Sequence, residues 1–120
     1  MASQSAFISY LVDQLQLIGP VVGRKMFGGY GVFLEGLMFG LIMEDTLYLK
    51  IDSDSKRDFE ALGLPPFTYP RGNKEIALSY YQTPEEALDD PEMLGVWANR
   101  AYLAAMRAAA EKGKKSTRRV

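Results

Sequence analysis

Two incompatible apolar rhythms meet at Gly19-Pro20, and that meeting restricts the fold more than any other feature of the chain. Before it, Ile8, Leu11, Val12, Leu15 and Ile18 recur at the three- and four-residue spacing of one helix face. Gly19-Pro20 ends that helix, because proline donates no N–H and pushes its predecessor out of the helical region. After it, from Met26 to Ile51, the apolar period is two. "YGVFL", "LMFGLIM" and "LYLKI" read as three strands joined at Glu35-Gly36 and at Glu44-Asp45-Thr46. Connections this short allow only antiparallel pairing.

The rest of the chain continues in the same manner. "SDSKRDFEALG" reads as a short helix capped by Asp52 or Ser53, with Gly63 at its end and Pro65-Pro66 blocking continuation. "PFTY" and "KEIALSYY" flank the turn "PRGN" as a second hairpin. Thr83-Pro84-Glu85-Glu86 has the spacing of a capping box. Asp90, Pro91 and Glu92 open a last helix with Leu94, Trp97, Ala98, Ala101, Tyr102, Ala105 and Met106 on its core side. The order is α-βββ-α-ββ-α, which predicts a two-layer α+β domain with an antiparallel sheet over residues 1–111. Residues 112–120, "KGKKSTRRV", are expected to be a basic, disordered tail.

Pairing across the two turns sorts the strands into faces. A two-residue turn at Glu35-Gly36 sets Leu34 opposite Leu37, Val32 opposite Phe39 and Tyr30 opposite Leu41; pairing Met43 with Leu47 then aligns Leu41 with Leu49 and Phe39 with Ile51. One face is then continuously apolar and belongs under the helices. The other holds Gly29, Gly31 and Gly40, ringed by Phe33, Met38, Ile42, Tyr48 and Lys50, with Arg24 at the strand entrance. These nine positions are the candidate binding surface. Glycines here relieve crowding at a twist or bulge, or admit a partner's backbone or a flat ligand. A phosphate cradle is excluded by motif grammar: no Gly-Lys-Ser/Thr follows, and the sixth residue counted from Gly29 is Leu34 rather than glycine.

Composition narrows the chemistry. The 120 residues contain no Cys and no His, which removes disulfides, zinc–thiolate sites, thiol nucleophiles and imidazole bases. No catalytic residue, metal site or cofactor is expected. Net charge is −1, but the last nine residues hold five of the 14 cations and none of the 15 acids, so the body is acidic. That argues against a nucleic-acid surface, and leaves the tail at most a weak, non-specific contact. Tyr48, Tyr69, Tyr80 and Tyr81 as base stackers, with Lys50 and Arg24 on phosphate, read better as sheet packing. The carboxylates of Asp52, Asp54 and Asp58 and of Glu85, Glu86, Asp89 and Asp90 sit at helix starts, where they cap. Arg24 reads as pairing with a carboxylate such as Asp52 or Glu75. The N-terminus is no signal peptide and no apolar run spans a bilayer, so a cytoplasmic location is expected.

"RKMFGGYGVFLEGLMFGLI", "LYLKID", "PFTY", "YYQTPEEALDD" and "LGVWANRAYLAA" together resemble the N-terminal domain of the TfoX/Sxy family, from about Leu11 to Ala109. The specific part is Arg24-x-Met26-Phe27-Gly28-Gly29-x-Gly31, spaced to Tyr48-Leu49-Lys50 and Trp97. The resemblance implies a secretion-chaperone-like fold. It also implies a co-activator role in natural competence, with a cAMP-receptor-type transcription factor as partner. The family's competence regulators carry a second, helical domain where this sequence has its basic tail. The expected function is a non-enzymatic regulatory or protein-interaction domain, forming a homodimer through the glycine face. The alternative is a small-molecule-binding or enzymatic domain using the groove at Gly29, Gly31 and Gly40.

Overall fold

The break at Gly19-Pro20 separates helix from sheet as its composition requires. In the computed structural model, which describes residues 3–26 and 28–118, helix α1 spans Ser3–Leu15 and a 3-10 turn, Gln16–Ile18, carries it to Gly19. Strands β1 (Val21–Met26), β2 (Gly29–Leu34), β3 (Leu37–Met43) and β4 (Thr46–Lys50) follow, then α2 (Ser53–Ala61), β5 (Pro66–Arg71), β6 (Lys74–Gln82) and α3 (Pro91–Arg118). All six strands form one antiparallel sheet in the order β1-β2-β3-β4-β6-β5. Phe27 of the glycine motif and the terminal Arg119 and Val120 lie outside the described residues.

The α+β class follows the sequence, and the strand count does not: the expected order lacks β1. Only Val21 of that strand is buried, so Val22 to Lys25 show no alternation to read. The strand exists because β2 supplies its ladder, from Val21 opposite Leu34 to Met26 opposite Gly29. Two further boundaries move. The β3–β4 turn is the two-residue Glu44-Asp45, both at positive φ as a mirror-image turn requires, and pairs Met43 with Thr46 rather than Leu47. Helix α3 continues through Arg118, past the limit drawn at residue 111; the alanine- and lysine-rich sequence favours helix, and the change in charge at Lys112 is no backbone signal.

The register of β2 and β3 changes the faces. Leu34 meets Leu37 and Phe33 meets Met38, but beyond them Val32 meets Gly40 and Tyr30 meets Ile42. Phe39 is thus an extra residue, a β-bulge, and it reverses the alternation of β3 from that point. Ile42 and Gly40 turn to the helix side, and Leu41 leaves it. Phe39 and Ile42 are both fully buried in the core with Val32, Leu47 and Leu49.

All three helices cover this one side. α1 contributes Ile8, Leu11 and Leu15, α2 contributes Phe59, and α3 contributes Leu94, Ala98, Ala101 and Ala105. Phe39 meets Tyr102 edge-on at 6.0 Å, and Phe59 meets Trp97 at 4.9 Å. Met106, assigned to the core by spacing, is instead 46% exposed. No helix among the described residues is long and apolar enough to cross a membrane.

Asp52 joins α2 to α3. Its carboxylate accepts from the N–H groups of Asp54 and Ser55 at 3.1 and 2.9 Å, while the Ser55 hydroxyl accepts from the Asp52 N–H at 3.0 Å, a complete capping box. The other carboxylate oxygen accepts from Arg107 Nε at 2.6 Å. Asp52 therefore pairs with Arg107 and not with Arg24. Asp58 pairs with Arg100, about two helical turns nearer the start of α3. The expected box at Thr83 is replaced by a tertiary bond, since the buried Thr83 hydroxyl donates to the Leu47 carbonyl at 2.9 Å.

Burial acts to raise the Asp52 pKa, but the Ser55 N–H, the Arg107 guanidinium and the Ser55 hydroxyl outweigh it and hold the carboxyl below its ordinary value. A depressed folded pKa gives stability that is present above the unfolded value and lost as pH falls through the folded one. Asp52→Ala should cost about 1–2 kcal/mol in urea unfolding at neutral pH. Asp52→Asn, which keeps a capping oxygen, should cost less, and its deficit should shrink below about pH 4. A deficit independent of pH would show that the charge on Asp52 contributes nothing.

Candidate functional site

With every helix on one side, the other side of the sheet is uncovered among the described residues. Strand alternation places Arg24 and Met26 of β1, Gly29, Gly31 and Phe33 of β2, and Met38 of β3 there, together with Tyr48 and Lys50 of β4. Seven of the nine candidate positions are thus brought onto one surface. Gly40 and Ile42 are not: the bulge at Phe39 buries them beneath the helices, and Leu41 and Met43 take their places.

The floor between the glycines is not bare. A Cβ on Gly31 would lie 2.5 Å from Met26 Sδ, 2.9 Å from Phe33 Cε1 and 3.0 Å from Met38 Sδ, so these side chains fold over the position. At Gly29 the obstacle is backbone, because a Cβ would overlap the Ile42 carbonyl oxygen. At Gly40 it would press on Val32 Cβ at 3.2 Å, on the core side of the bulge. Internal close packing accounts for all three glycines.

What remains open lies further along the sheet. Met38, Leu41 and Met43 of β3 form a groove of about 450 Å³ with Phe67 and Tyr69 of β5 and Leu78 of β6. Tyr48 borders it, with its ring edge-on to Phe67 at 5.2 Å. Leu41 is only 3% exposed yet stands apart from the helix-side core; the groove residues themselves bury it. Sequence reasoning assigned Leu41 to the wrong face and named Tyr69 only as a base stacker. The missing information was the adjacency of β4 and β6, a pairing between residues about 30 positions apart.

Two cations rest on rings at this face. The Arg24 guanidinium lies 5.5 Å from the centre of Phe33, and Lys50 Nζ lies 5.2 Å from Tyr80 and 3.4 Å from Ser79 Oγ. Burial, with a smaller contribution from Lys112, moves the Lys50 pKa down. Burial moves both phenols up, aided at Tyr48 by Glu44. Tyr81, grouped with Tyr80 in sequence, points the other way: it packs on Phe59 in the core and donates to Glu60 Oε2 at 3.1 Å. Among the described residues no three Asp or Glu side chains come together as a metal site. Thioethers, aliphatic groups, phenols and cations suit this surface to binding an apolar, anionic group.

A family model described as the TfoX N-terminal domain matches residues 13–105. The chain is 32% identical over 68 residues to the DNA transformation protein TfoX1 of Aliivibrio fischeri, across 57% of this chain and 32% of that protein. It is 37% identical over 67 residues to the DNA transformation protein TfoX of Haemophilus influenzae, across 55% and 31% respectively. The alignments therefore span about a third of the length of these relatives.

The glycines should differ in their tolerance of a side chain. Gly29→Ala forces a methyl against a ladder carbonyl and should cost about 3 kcal/mol or prevent folding. Gly31→Ala meets the mobile ends of Met26, Phe33 and Met38 and should cost about 1 kcal/mol. Equal losses in urea unfolding would refute this account of the pair.

Proposed function

The chain belongs to the TfoX N-terminal domain family, and from that premise we propose that it is a non-enzymatic regulatory domain in DNA transformation. It acts by binding a protein through the open side of its sheet. The observation that carries this reading is the apolar groove beside Leu41 on a sheet face that no helix covers. An apolar concavity of this kind on a small domain marks an interaction site. The two TfoX relatives are named for DNA transformation. By family resemblance, the partner is a cAMP-receptor-type transcription factor in the cytoplasm, with the domain as co-activator.

One observation favours a second reading, a small-molecule site: the groove volume of about 450 Å³ lies within the range of ligand pockets. That site would be the Leu41 groove and not the glycine cluster, which Met26, Phe33 and Met38 fill.

Leu78→Glu places a charge at a groove position that is already 36% exposed, so the fold should survive. In a transformable host dependent on this protein, the variant should lower transformation frequency about tenfold or more and lose the partner retained by the wild-type chain in affinity capture. Normal transformation with a folded Leu78→Glu would overturn the docking reading. A saturable thermal shift with one metabolite, abolished by the same change, would favour the small-molecule reading.

A further inference from the structure

The open face carries a charge pattern that the whole-chain balance conceals, and an inference from it rests on the docking reading above. Strand alternation puts Arg24, Lys50, Arg71 and Lys74 on the uncovered side, with Arg71 and Lys74 paired directly across the β5–β6 hairpin. The six strands contain one carboxylate, Glu75, and its place in the alternation is on the other side. Most of the acidic residues lie elsewhere: Asp13 on α1, those around α2, those in the approach to α3, Glu111 on α3, and the turn residue Glu35. In the Glu44-Asp45 turn, Glu44 is close enough to act on Tyr48 at the rim of the face. Among the described residues the ion pairs are Lys56–Glu60, Arg100–Asp58 and Arg107–Asp52, all in the helical layer. Among the described residues, none of these ion pairs includes a cation of the open face.

We propose that the occupant of this face is an acidic amphipathic segment of a partner protein. Its apolar side chains enter the groove beside Leu41 while its carboxylates meet Arg24, Lys50, Arg71 and Lys74. Charge complementarity of this kind sets partner choice and approach rate. Methionine walls adapt to differing apolar anchors at small cost, as grooves that take amphipathic peptides do. A second copy of this chain fits poorly, because a two-fold contact would bring the cations of one face against those of the other. Single-stranded nucleic acid also fits poorly. Arg24 and Lys50 already cover the rings of Phe33 and Tyr80, and Tyr48 is engaged edge-on with Phe67, so few ring faces are free for bases.

The test is selection of displayed random peptides on the immobilised full chain, with binding of the enriched peptides then measured by fluorescence anisotropy. Enriched sequences should combine Asp or Glu with Leu, Met or Phe, and bind more weakly as salt rises. The charge-reversed variant Arg24→Glu/Lys50→Glu/Arg71→Glu/Lys74→Glu should bind them at least about tenfold more weakly and prefer their lysine-substituted versions. If that variant does not fold by circular dichroism, Arg71→Glu/Lys74→Glu, at two exposed positions, makes the same comparison. Neutral or basic peptides that are lost on Leu78→Glu would overturn the charge inference and leave the docking reading standing. Peptides indifferent to both changes, or no enrichment at all, would overturn both. Tighter binding of oligo(dT) than of any selected peptide would also overturn the proposal, as would a wild-type dimer that Leu78→Glu dissolves.

Discussion

One extra residue in β3 sets the arrangement of the whole molecule. Phe39 and Ile42 are three positions apart, and plain alternation would send them to opposite sides of the sheet. The bulge at Phe39 lets both lie beneath the helices, where both are fully buried. Their shared side gives α3 an aromatic and a branched side chain to pack on, and the small Ala98, Ala101 and Ala105 of α3 bring it close. The same shift ejects Leu41 to the far side, where it becomes the base of the groove. Core and candidate interaction surface are two results of one irregularity. Gly40 belongs to it, because the bulge brings Val32 within 3.2 Å of where a side chain would begin.

The readable parts of this fold were those decided locally. The helix before Gly19-Pro20, the Asp52 cap and the hairpin at Glu35-Gly36 each depend on residues only a few positions apart, and each is present. What could not be read depends on pairing at a distance. β1 has no pattern of its own, since only β2 makes Val22 to Lys25 a strand. The placement of Ile42 and Leu41 needed the bulge, which no turn residue announces. The groove needed β6 beside β4, with Tyr48 opposite Gln82. Arg24 was expected to find an acid, and instead lies over Phe33, while Asp52 is held by Arg107. The glycines read as a groove open to a partner or ligand because sequence order does not show that Met26 and Met38 turn inward over Gly31.

The division of charge follows from the division into layers. Helix starts favour acids through their exposed N–H groups, so Asp52, Asp54, Asp90 and Glu92 gather in the helical layer. The strands have no such preference, and their outward positions hold mainly methionine, aliphatic, aromatic and basic side chains. Arg100 and Arg107 balance part of the acidity by holding α2 against α3. Among the described residues no ion pair holds Arg24 or Lys50, and both rest on aromatic rings instead.

A sheet with one apolar face is in danger of polymerising through its edges, where unpaired main-chain groups recruit further strands. Here the outermost strand β5 has Pro66 near one end and Pro70 near the other, and neither can donate a ladder hydrogen bond. At the opposite edge, the Gln16 side-chain amide donates to the Val21 carbonyl at 3.0 Å, occupying the first acceptor of β1, and Arg24 and Lys25 add charge beyond it. Lateral growth of the sheet is therefore hindered at both ends. An apolar face can thus stay uncovered without the sheet adding strands at its edges.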